Sequence, residues 1–78
     1  MIAYRWESAK RYYVALLYRD LFGTWILRRV WGGRFNALGN ERCEPVADET
    51  AGWAAITRID ALRQRHGYQR VLKHPCLG

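Results

Sequence analysis

One helix, marked at both ends, is the strongest constraint in this 78-residue chain. Asp48 is a good N-cap, and Glu49 follows in the first turn, where the helix dipole favours an anion. Ala51, Ala55, Ile59, Leu62 and His66 recur at spacings of three and four, with Ile56 flanking, which makes an amphipathic stripe. Gly67 closes the helix, and Arg63, Arg65 and His66 crowd its carbonyl end. His66 reads as a cap or core-edge residue rather than a general base. Trp53 falls off the stripe and is expected to partner the N-terminal segment. A lone helix must bury its stripe against another layer, so the rest of the chain has to supply a sheet.

The remaining segments have strand character. Residues 1–9, with Tyr4, Trp6 and Glu7, read as an arm or short strand. From Lys10 to Arg19, alternation puts Tyr12, Val14, Leu16 and Tyr18 on one face and Arg11, Tyr13, Ala15, Leu17 and Arg19 on the other. The first set is the better apolar face and is expected to be buried. Asp20-Leu21-Phe22-Gly23 reads as a hairpin loop, and Thr24 to Trp31 returns as a second strand. Gly32, Gly33 and Asn36 to Asn40 predict a looser connection, Glu41 to Val46 a short strand kept to an edge by Pro45, and Tyr68 to Leu72 a last strand. The expectation is one α+β domain over residues 1–78: a small antiparallel sheet of about four strands, with the helix packed on one face and the other face free to work. Its core spans about 4–72, and 73–78 form a flexible tail.

Half the residues are apolar and 14% aromatic, so a core is within reach without disulfides. Cys43 and Cys76 are too few and too scattered for a disulfide framework or a zinc site, which argues for a reduced, cytoplasmic setting. No apolar run approaches the ~20 residues of a membrane span. Catalysis lacks an inventory. Ser8 is the only serine, the two histidines lie at a helix end and in the tail, and no glycine-rich phosphate loop is present. Glu41 and Glu44, three apart on a strand, face opposite sides and cannot act as a pair. Neither an enzyme, a cofactor nor a small-molecule substrate is expected.

What the chain does carry is charge. Its formal net charge is +6, and only Lys10 and Lys73 among its thirteen cations are lysines. Arginine offers a planar donor fork for phosphate and stacks on rings. The tract Arg28-Arg29-Val30-Trp31-Gly32-Gly33-Arg34 sets an indole among guanidinium groups and glycines. As a strand it shows Trp25, Leu27, Arg29 and Trp31 on one face. Aromatic surface beside arginine suits nucleic acid, with stacking for base or sugar and charge for phosphate. Trp31, Gly32, Arg34, Arg29 and Arg28 are the candidate binding residues, joined by Lys10 and Arg42 if the sheet brings them close. The plainer reading is an edge strand with a core tryptophan and solvated arginines. If the helix covers the face of Arg29 and Trp31, both become core or rim residues rather than ligand-binding ones, and the nucleic-acid reading weakens badly. A protein-interaction or oligomerisation module, acting with a separate DNA-processing enzyme, is the alternative function, since four tryptophans and five tyrosines exceed the needs of one small core.

The ordered set of residues resembles the WGR domain, a small antiparallel sheet with one helix named for a Trp-Gly-Arg tripeptide. Arg11-Tyr12-Tyr13-Val14 opens a strand, Gly23-Thr24-Trp25-Ile26-Leu27 leads to Arg29-Val30-Trp31-Gly32, Gly39 follows, and Gly67-Tyr68 ends the helix. The likeness covers about residues 4–72. It departs at the signature, where Gly33 stands in the arginine position and Arg34 comes one step later. In poly(ADP-ribose) polymerases this domain binds DNA at strand breaks. The resemblance, to the stand-alone bacterial kind, implies that Trp31 stacks on a nucleotide while Arg29 and Arg34 reach adjacent phosphates.

Overall fold

The computed structural model describes residues 2–35 and 39–75. Strands β1 (Ile2–Glu7), β2 (Arg11–Arg19), β3 (Trp25–Gly33) and β4 (Gly39–Val46) precede helix α1 (Glu49–Arg65), and β5 (Gln69–Pro75) follows it. The strands form one antiparallel sheet in the order β4-β3-β2-β1-β5. The α+β class with one helix on an antiparallel sheet is as expected, with five strands where about four were predicted. The additional strand is the N-terminal arm. Ile2, Tyr4 and Trp6 alternate with Ala3, Arg5 and Glu7, and the first set turns inward, so that Trp6 is fully buried and Tyr4 nearly so. The arm therefore lies inside the sheet, between β2 and β5.

The expected Asp20 hairpin joins β2 to β3. Oδ1 of Asp20 accepts from the backbone of Phe22 (2.8 Å) and Thr24 (2.9 Å), which satisfies turn amides locally. Gly32 and Gly33 continue β3, and Gly39 and Asn40 begin β4, so both strands outrun their predicted ends. The predicted turn residues Asn36–Leu38 lie outside the described residues. Strand β4 sits at the sheet edge, where Pro45 breaks no ladder.

Helix α1 runs from one edge strand to the other across the sheet and buries the Tyr13, Ala15 and Leu17 side of β2, not the Tyr12, Val14, Leu16 and Tyr18 side. The second set is more apolar by composition, but the first contains a small residue at its centre. Ala15 lies flat under the helix, and Gly52 seats directly on Leu17. A Cβ at Gly52 would come within 2.4 Å of Leu17 Cδ1. That close approach also rotates the buried stripe to Gly52, Ile56 and Ile59, while Leu62 of the predicted stripe is 43% exposed.

The helix ends where its caps predict. Asp48 accepts from the Ala51 amide at 2.8 Å. At the other end Gly67, at φ 85°, donates to Gln64 O (3.1 Å), and Tyr68 N donates to Arg63 O (2.9 Å), the paired bonds of a Schellman motif. Two further links fasten helix to sheet. Trp6 Nε1 donates to Asp60 Oδ1 at 2.8 Å, which satisfies a buried indole donor. Trp53 meets Tyr4 edge-on at 6.0 Å, the expected contact with the N-terminal segment.

Candidate nucleic-acid interface

Register decides which side chains share the helix face. Directly opposed residues of an antiparallel pair project to the same side, so Trp6, Tyr13, Trp31 and Asn40 form one row across β1 to β4, and Tyr4, Ala15, Arg29 and Arg42 form the next. The first row is a continuous aromatic series. Trp6 meets Tyr13 edge-on at 6.0 Å, and Tyr13 stacks on Trp31 at 5.8 Å with 13° between the rings. It runs from the centre of the core to its rim, since Trp6 is fully buried and Trp31 only partly so.

Beside that rim the carboxyl end of α1 and strands β2 to β4 enclose an open recess of about 970 Å³. Its cations are Lys10, Arg11, Arg29, Arg42 and Arg63, its rings are Tyr12, Tyr13, Trp31 and Tyr68, and Asn40 with glycines 32, 33 and 39 completes the wall. None of these lining residues is a carboxylate. Among the described residues, Lys10, Arg11, Arg42 and Arg63 enter no ion pair, whereas Arg29 is bonded to Glu44. Four cations without an ion pair thus line one concavity, while Arg19, at the other end of β2, is also unpaired among the described residues and lies outside it.

Arg63 is held there by stacking. Its guanidinium lies 4.7 Å from the Tyr13 ring centroid and 5.2 Å from that of Tyr68. Its Nε is buried without a hydrogen-bond partner, as is that of Arg29. Tyr68 reaches this position because the Gly67 turn folds the chain back over the last helical turn.

Of the candidate residues, Trp31, Gly32, Arg29, Lys10 and Arg42 come together in this recess. Two do not. Arg28 projects from the opposite sheet face, where it donates to Glu41 at 2.6 Å, and this bond raises its pKa further. Arg34 turns toward the start of β2, donating to Ser8 O (3.1 Å) and lying 3.5 Å from Glu7. β3 register puts Arg29 and Trp31 on the helix side as partly buried rim residues, the case in which the nucleic-acid reading loses weight, and not on the uncovered face. Arg11, Arg63, Tyr13 and Tyr68 are recess residues that strand-by-strand reading misses. An arginine four residues before a Gly-Tyr helix stop is a signal for Arg63 and Tyr68, but nothing local places them over Tyr13.

The fold and recess define a class: a small α+β domain with a cationic, aromatic-walled concavity at a helix carboxyl end. No family model matches the chain, and no curated protein or solved structure does either. No helix among the described residues is long and apolar enough to cross a membrane.

Proposed function

We propose that the recess binds nucleic acid, with DNA ends or breaks as its target, and that the domain is a binding module rather than an enzyme. The observation that carries this reading is the recess lining: five cations, four aromatic rings and no carboxylate. Phosphates engage the cations that have no internal ion pair, Lys10, Arg11, Arg42 and Arg63. A terminal base or sugar packs on Trp31 and Tyr68. Stacking of this kind contributes ~1–3 kcal/mol per base. A concavity at the rim admits a strand terminus more readily than the middle of a duplex, which supports a preference for ends.

The WGR resemblance supports the same reading and puts Trp31 in the nucleotide-stacking role. The arginine role passes to Arg42 and Arg63, since Arg34 faces Glu7 and Arg29 is bonded to Glu44. The test is fluorescence anisotropy with blunt, nicked, hairpin-closed and single-stranded DNA, comparing the parent with Trp31→Ala. Salt-sensitive binding that favours open or nicked ends and weakens at least tenfold in the variant supports the proposal. Equal binding of parent and variant to every probe rejects it.

A further inference from the structure

The sheet face away from the helix is only partly shielded, and its pattern is self-complementary. One cross-strand row reads Arg5, Val14, Val30, Glu41 from β1 to β4; the next reads Ala3, Leu16, Arg28, Cys43. Tyr18, Ile26 and Pro45 continue the apolar surface toward the hairpin. Val14, Leu16, Tyr18, Ile26 and Val30 are each only partly buried, so the face offers apolar side chains to a partner. The partner is indicated by charge. On a chain of net charge +6, the β1–β4 residues of this face balance, Arg5 and Arg28 against Glu7 and Glu41, each cation ion-paired at 2.8 or 2.6 Å. Two copies can approach here without the repulsion that any helix-side contact would meet.

We infer that this face joins two copies of the chain, related by a twofold axis running along the strands between β2 and β3. That operation lays Val14 over Val30 of the partner subunit and brings Arg5 to Glu41 of the partner subunit, twice by symmetry. The result is a two-sheet sandwich with layers ~10 Å apart and both helices outside. Four overlapping strands at ~4.8 Å and about seven residues at ~3.3 Å give a footprint of roughly 440 Å² per copy, or ~900 Å² in all, with β5 overhanging. That is the size of a weak, transient contact rather than a permanent one. The inference is independent of what the recess binds.

Sedimentation equilibrium of the full chain tests it, read up to about 1 mM so that a weak dimer is populated. The parent is expected to reach twice the 9.2 kDa of one copy. Val30→Glu, with its circular dichroism unchanged, is expected to stay monomeric, as is Val14→Lys. An equimolar mixture of these two variants is expected to regain dimer, because the introduced ammonium of one then faces the introduced carboxylate of the other across the interface. A monomeric parent at the highest concentration overturns the inference and is decisive even if a variant fails to fold. A Val30→Glu dimer, or a mixture of folded variants that stays monomeric, also overturns it.

Discussion

Arg63 and Trp31, from the last turns of the helix and the end of β3, meet the same ring. The guanidinium lies 4.7 Å from the centroid of Tyr13, and the indole stacks on Tyr13 at 5.8 Å. Through that tyrosine the core extends into the recess wall, so the geometry of the site depends on how tightly the helix sits on the sheet.

Gly52 sets that distance. In Gly52→Ala the new methyl meets Leu17, which is fully buried and cannot withdraw. Overpacking of this kind costs about 1–3 kcal/mol, more than the ~1 kcal/mol that alanine returns in helix propensity. Urea unfolding is expected to show lower stability despite the better helix former.

Asp60 fixes the helix to β1 by accepting from Trp6, and it also accepts from Gln64 at 3.0 Å and lies 3.7 Å from Arg70. Asp60→Leu leaves the buried indole donor without this acceptor. A loss of about 1–3 kcal/mol is expected, measurable in the same unfolding experiment. Asp60→Asn, which keeps an acceptor oxygen, is expected to lose less.

Gly67→Ala probes the link between turn and site. At φ 85° a methyl group has open space around it but a disfavoured backbone, a cost of ~1–2 kcal/mol. Because this turn seats Tyr68 over Arg63, DNA affinity is expected to fall beyond what the lost stability explains, read by anisotropy well below the melting temperature.

Glu7 gives the fold an acid-sensitive contact. Its hydrogen bond from Arg5, helped by the charges of Arg34 and Arg5, lowers its pKa below the ordinary 4.5 against an opposing desolvation effect. The contribution is therefore complete above about pH 4.5 and disappears as pH falls through the lowered value. Glu7→Gln is expected to be slightly less stable than the parent at pH 7, with the difference shrinking as pH falls below 4.5. A difference that does not change with pH across the acid range would assign the effect to packing.

How much of this is legible in the chain depends on the range of the contact. The helix boundaries are, because Asp48 and Gly67 act within one turn of themselves. The buried stripe reads one residue off, since apolar patterning favours Ala51 whereas the sheet needs the absent side chain of Gly52. The same preference for bulk selects the wrong face of β2, where Ala15 lets the helix approach. Trp31, Arg29, Lys10 and Arg42 stand out by charge and aromaticity, but Arg28 is grouped with Arg29 although strand alternation sends neighbours to opposite faces. Arg63 and Tyr68 require knowing that the helix ends above Tyr13, a relation between distant segments that local pattern does not contain.

The most direct measurement is the salt dependence of DNA binding after removing single charges inside and outside the recess. With about four cations engaged, the parent is expected to show a log–log slope near −4 on duplex DNA. Arg42→Gln and Lys10→Gln are each expected to reduce that slope by about one, while Arg28→Gln, on the opposite sheet face, leaves slope and affinity unchanged. If Arg28→Gln weakens binding as much as Arg42→Gln does, DNA is held by the protein's overall charge, and the recess is not its site.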